Sequence, residues 1–182
     1  MSSIGRELPL PFPTAEGRKG VDDRNGAIDA VRPDGRQSPT ALAVARGTAR
    51  LLHSLGLVCV SELALPSGRR ADLVALGHNG DMWIVEIKSS VADFRADQKW
   101  MEYRLHCDRL FFATTLDVPC EIFPSDTGLI VADAFGATIR CEAPEHRMPS
   151  TTRKRMMLRF AHAAALRLQS LIDPAGPYGE IA

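Results

Sequence analysis

The chain has no excess of either charge: 22 lysines and arginines stand against 22 aspartates and glutamates in 182 residues. That balance excludes a whole-molecule field drawing it onto nucleic acid or an anionic membrane, so any phosphate contact must come from local patches. Its four cysteines, Cys59, Cys107, Cys120 and Cys141, form no Cys-x-x-Cys pair and have no zinc-like histidine spacing, and they read as reduced structural thiols. No apolar run is long enough to span a bilayer, and no signal-peptide core opens the sequence. These absences point to a soluble, cytoplasmic protein with no membrane partner. There is neither an internal repeat nor a low-complexity block. What is present is 45% hydrophobic residues, enough for the core of one domain.

Residues 1–39 carry Gly, Pro, Asp and Arg with little apolar periodicity and read as a flexible tail, which cannot bury enough surface to offset its chain entropy. The domain is expected over 40–172, with a short Pro/Gly tail at 173–182. A helix from Thr40 presents Ala41, Ala45, Thr48, Ala49, Leu52 and Leu55 on one face and stops at Gly56, a left-handed cap. Leu57–Leu65, Arg69–Leu76 and Met82–Lys88 follow as three strands, the last two joined through Asn79-Gly80, so an antiparallel meander is expected. Ser90 then caps a helix predicted to run from Val91 to Leu105. Its apolar face carries Phe94, Met101 and Leu105 with Gln98 among them; Trp100 and Tyr103 leave on other sides.

Arg109–Thr114 suits a buried strand entered from a helix and therefore parallel to its neighbour in the meander. Glu121–Phe123, Leu129–Val131 and Ala137–Arg140 read as short strands, with Gly128 and Gly136 marking turns. A last helix, Thr151–Leu171, is expected to pack through Met157, Phe160, Ala161, Ala164, Leu168 and Leu171. Its opening turns hold Arg153, Lys154, Arg155 and Arg159, the densest basic cluster of the chain, suited to neutralising phosphates or equally to a solvated helix face. Arg95 and Lys99 offer further phosphate contacts.

Strand alternation sets Ile84, Glu86 and Lys88 on one face and Val85 and Ile87 on the other. Asp72 lies on the preceding strand. Two carboxylates gathered in a partly dry site raise each other's pKa unless a proton or a divalent cation sits between them. Mg2+ or Mn2+ suits that set: Asp72, Glu86 and the backbone carbonyl of Ile87 would hold it, Lys88 would stand beside a bound water, and Glu62 on the first strand could add a ligand. Gln98 either faces that centre or makes a core hydrogen bond. Taken singly, Glu-x-Lys is a common solvent-facing strand pattern, and Asp72 and Glu62 are ordinary strand charges. A cysteine-dependent enzyme using Cys107 with His106 or His146 is a weaker alternative, since adjacent or scattered residues give no oriented pair.

Asp72 followed by Glu86-Ile87-Lys88, set in an αβββαβ order over Thr40–Thr114, resembles the PD-(D/E)xK nuclease superfamily, which is restriction-endonuclease-like in fold. More closely, Val85–Ser90, Asp93–Asp97, Lys99-Trp100, Glu102-Tyr103, Gly128–Asp133 and Ala143–Arg147 resemble the bacterial MmcB family of DNA-repair-related proteins, over about Thr40–Leu171. The resemblance implies an α/β domain with a mixed sheet and a metal-dependent endonuclease acting on DNA in repair. It also implies DNA and DNA repair proteins as partners, and a nucleoid location when bound to DNA. Asp72, Glu86 and Lys88 match the metal and catalytic positions, and Gln98 resembles the helix glutamine of the RecB-like branch. Tyr103 falls one residue late for that branch's tyrosine, and alanine replaces the proline before Asp72. A catalytically silent DNA-binding module of the same fold is the rival reading. A homodimer is compatible with this fold, yet no dimer seam is visible in the sequence.

Overall fold

The computed structural model describes residues 38–97 and 99–178. The expected N-terminal tail therefore lies outside the described residues, apart from Ser38 and Pro39, as do Gln98 and 179–182. Helix α1 (Pro39–Ser54) begins with proline in its first turn and Ser38 as its cap, whose hydroxyl accepts from the Ala41 N–H at 3.1 Å. It ends before Gly56, whose φ of +79° is the left-handed turn expected there. Strands β1 (Val58–Ala64), β2 (Arg70–Leu76) and β3 (Met82–Ile87) form the antiparallel meander. Asn79-Gly80 makes the tight turn between the last two, with Gly80 at φ +84°.

After α2 (Val91–Ala96) and a 3-10 segment (Trp100–His106), β4 (Arg109–Thr114) runs parallel to β3. Strand β5 (Gly128–Ala132) is parallel to β4, β6 (Ala137–Cys141) is antiparallel to β5, and α3 (Ser150–Ile172) closes the domain. The result is a mixed six-stranded sheet in sequential order β1 to β6, with the αβββαβ order expected. Both faces are covered. On one, Val44 and Leu52 of α1 pack on Leu73, Val85, Ile87 and Phe111; on the other, Met156 and Phe160 of α3 and Tyr103 pack on Val74, Ile84 and Leu110. Neighbours Phe111 and Phe112 are fully buried on opposite faces, each contributing roughly 2–3 kcal/mol. The open, solvent-facing sheet that would make Glu86-x-Lys88 unremarkable is absent: Glu86 is 3% and Lys88 6% exposed.

Four expectations are corrected. The helix predicted over Val91–Leu105 breaks at Ala96, because the Asp97 side chain accepts the Lys99 N–H at 3.0 Å and so competes with the helical ladder. After the break Met101 and Leu105 are 64% and 69% exposed, whereas Tyr103 is buried and Trp100 packs edge-on to Phe112. Glu121–Phe123 is no strand: Cys120–Ile122 forms a single 3-10 turn between Pro119 and Pro124, which cannot donate to a ladder. Gly128 is not a turn but the buried first residue of β5, where a Cβ would collide with the Phe111 ring. Finally, α3 buries Met156 and Phe160, while Leu168 and Leu171 are more than half exposed.

Candidate active site

Asp72 and Glu86 sit where the β2–β3 ladder stops. Its last pair is Leu73 with Val85, and one residue further the strands exchange side chain for backbone. The Asp72 carboxylate accepts the Ile87 N–H at 2.7 Å, and the Glu86 carboxylate accepts the Asp72 N–H at 3.3 Å. Two main-chain donors freed by the end of the ladder thus fix two acidic side chains side by side. Burial first, then the repulsion between the two, pushes the Glu86 carboxyl well above the glutamate range. Burial also raises Asp72, against the pull of the Ile87 N–H and the Lys88 charge.

Lys88 follows β3, and its backbone is anchored on β4: its N–H donates to the Ala113 carbonyl at 2.9 Å and its carbonyl accepts the Thr114 hydroxyl at 2.7 Å. The ammonium lies 3.9 Å from Glu86 but donates to Asp97 at 2.6 Å. Burial disfavours that charge, yet Asp97, Glu86 and Asp72 outweigh it and hold the lysine above its ordinary value. Lys88 is therefore a cation at neutral pH. Asp97 is correspondingly held below the aspartate range; burial would raise it, and the bonds from Lys88 and the Lys99 N–H prevail.

Asp97 is the residue that pattern reading missed. The signal in the sequence was a second aspartate four residues after Asp93, the spacing that stacks two side chains on one helix face; Asp93 accepts from the Ser89 N–H and its charge reaches Asp72. Ile87 contributes only its main chain here, because its side chain belongs to the core under α1. Glu62 lies on β1 at φ +50°, the one non-glycine positive φ among the described residues, and its carboxylate pairs with Arg70. Gln98 lies outside the described residues.

Among the basic candidates, Arg95, Lys99, Lys154 and Arg155 are exposed. Arg153 is engaged otherwise: it grips Asp108 through two bonds of 2.6 and 2.7 Å and donates to the Gly80 carbonyl at 2.7 Å. The cysteine alternative has no support in the geometry, since Cys107 is buried, its thiol is pushed up to about 12 by burial, and its Sγ donates to the Tyr103 carbonyl.

A family model described as DNA repair protein MmcB-like matches residues 28–175. The chain belongs to the MmcB-like DNA repair protein family. A solved structure, the SPO1766 protein of unknown function from Silicibacter pomeroyi, is 43% identical and superposes with a TM-score of 0.74, covering 78% of this chain and 96% of its own. No curated protein matches the chain. Among the described residues, no group of three or more His, Cys, Asp or Glu is gathered to hold a metal, and no helix is long and apolar enough to cross a membrane.

Proposed function

We propose that this member of the MmcB-like DNA repair protein family is a metal-dependent DNA endonuclease of the PD-(D/E)xK superfamily. The observation that carries the reading is the pair of buried Glu86 and half-buried Asp72, fixed side by side by main-chain donors and both held toward protonation, next to a lysine that keeps its charge. A divalent cation relieves that repulsion. Two carboxylates suit magnesium or manganese, which bind few protein ligands and keep several waters; a closed zinc or calcium cage needs a richer set. Asp72, Glu86 and the Ile87 carbonyl would hold the ion, which when bound lowers the pKa of water and polarises a phosphate oxygen.

The side chains supply the rest. Ile87 and Asp72 N–H groups orient the two carboxylates, so neither must reorganise as substrate enters. Lys88, protonated and buried, offers positive charge and the N–H donors not given to Asp97 to a phosphate oxygen or to the attacking water, and does not act as a base. Asp97 holds that ammonium in place. Glu62 and Gln98 are assigned supporting roles, and exposed Arg95, Lys99, Lys154 and Arg155 serve as local phosphate contacts in a chain of zero net charge.

One observation favours a second reading, a silent DNA-binding module: the Lys88 ammonium is nearer Asp97 than Glu86. Purified protein incubated with labelled single-stranded, duplex, flap and branched DNA and magnesium or manganese separates the two. Metal-dependent cutting that Lys88→Ala abolishes is the expected result. DNA binding without cutting by any metal would move the assignment to the binding module.

A further inference from the structure

The turn that joins β5 to β6 is held from several sides, yet it leaves one aromatic ring in solvent. The Asp133 N–H donates to the Gly136 carbonyl at 3.0 Å, and the Asp133 carboxylate accepts the N–H groups of Phe135 and Gly136 at 2.7 and 2.9 Å. From α1, the Arg50 guanidinium donates to the carbonyls of Ala134 and Phe135 at 3.0 and 2.9 Å. Gly47 lets the helix come this close, since a Cβ there would collide with the Asp133 and Gly136 carbonyls. All of these contacts fix main chain. The Phe135 side chain is 84% exposed, the most exposed large apolar group among the described residues. We infer that Phe135 is a stacking platform for an unpaired DNA base, so that the chain binds single-stranded, flapped or branched DNA in preference to intact duplex. The inference rests on the DNA part of the proposed function and names its substrate class.

Three features select a base as the occupant. The first is position. Ile87 pairs with Ala113 and Ala113 with Ile130, so the turn leaves the sheet at the end where Glu86 and Lys88 stand. Two strand spacings, about 10 Å, separate β3 from β5 along that edge, or roughly three base steps of a DNA strand. The second is charge. Helix α1 contains no aspartate or glutamate, and exposed Arg46 and Arg50 lie one turn apart on the side that meets the β5–β6 turn. The turn's own acid, Asp133, gives its carboxylate to the two N–H groups and faces Arg50. The third is size. A phenylalanine ring covers roughly 150–250 Å², which one base can match, whereas a stable protein partner needs about 800 Å² from each side. An aromatic ring beside arginines is the arrangement that holds single strands, because every base has a face to stack and every nucleotide a phosphate. Inside a duplex both faces of a base are already stacked, so the ring gains nothing there without unstacking a step.

Fluorescence anisotropy with labelled single-stranded, flap and duplex DNA, in chelator so that nothing is cut, tests the proposal. Wild type is expected to bind the first two about tenfold or more tightly than duplex. Phe135→Ala should lose about tenfold on single-stranded and flap DNA and less than about twofold on duplex, with an unchanged melting midpoint because the ring is exposed. Phe135→Trp should keep the preference. Arg46→Ala should weaken all three DNAs alike and lower the slope of log affinity against log salt by about one. Equal binding of single strand and duplex by wild type, or a Phe135→Ala chain that binds all three as wild type does, overturns the proposal. So does a wild-type dimer that Phe135→Ala converts to monomer, which would give the ring to a second copy. A chain with the expected binding pattern that cuts no DNA with any metal sinks the endonuclease and leaves the platform; a chain that cuts while Phe135→Ala binds unchanged does the reverse.

Discussion

Buried carboxylates meet both ends of the β2–β3 hairpin, Asp108 from the start of β4 at the turn end and Glu86 with half-buried Asp72 at the open end, and the two ends treat them in opposite ways. At the turn end Asp108 is 2% exposed and fully answered: it accepts the Met82 N–H at 2.8 Å, the Met148 N–H at 3.1 Å and both arms of Arg153. Burial would raise its pKa, but those donors hold it below the aspartate range. At the open end Asp72 and Glu86 receive one backbone N–H each, lie beside one another and are held upward. One arrangement clamps α3 to the sheet. In the other the two carboxylates repel one another, and the proposed cation would relieve that repulsion.

The contrast breaks most visibly at the clamp. Asp108→Ala leaves Arg153 with the Gly80 carbonyl but no counter-charge there, leaves two backbone donors unanswered, and is expected to cost about 3–5 kcal/mol, read from the denaturant midpoint. Because the Arg153 side chain is a quarter exposed, the lower end of that range is expected. At the open end, saturating magnesium should stabilise the wild type by about 2.7 kcal/mol at a hundred times its dissociation constant. Glu86→Gln should remove that gain, as a thermal-shift titration would report.

Without metal, Glu86→Gln is expected to stabilise the fold by about 1 kcal/mol, because it removes a buried charge and keeps an acceptor for the Asp72 N–H. The same variant should lose the proposed cleavage. Asp108→Asn gives the opposite sign, so the pair of variants tests whether the two carboxylates differ in kind.

The pH dependence follows the same division. Glu86 is raised in the fold, so between its folded value and the ordinary 4.5 the native chain binds more protons, and acidification from neutrality stabilises it. Asp108 is lowered, so its contribution is present above the ordinary 3.8 and is lost as pH falls through the folded value. Melting followed against pH should show the first limb shrink in Glu86→Gln and the second in Asp108→Asn, with Asp72, also raised, and Asp97, also lowered, keeping a remainder of each. The smallest effect belongs to Asp97→Asn: about 1 kcal/mol of stability, and about a tenfold fall in cleavage as Lys88 loses its anchor.

Much of this was legible before the fold. Asn79-Gly80, the bounds of β4, the Ser90 cap and the alternation that pairs Glu86 with Lys88 are short-range features, set by local sterics and strand geometry. The misreadings share a cause. Met156, Met157, Leu158 and Phe160 allow more than one phase for α3, and only the sheet selects Met156 and Phe160. Trp100 and Tyr103, read as outward, turn inward because the helix that carries them is interrupted at Asp97.

By itself the sequence determined the αβββαβ core and which face of which strand carries Asp72, Glu86 and Lys88, since these follow from periods of two or 3.6 residues and from turn chemistry; the resemblance made them site candidates. Only the tertiary structure decided which charges are answered. Arg153, read as one of a cluster suited to phosphates or to a solvated helix face, meets Asp108, 45 residues earlier, beside Gly80; Lys88, read beside Glu86, donates to Asp97 after the break that follows α2. Those pairings depend on distances between segments remote in sequence and on burial that makes each charge costly to leave alone, and neither quantity is written in local pattern.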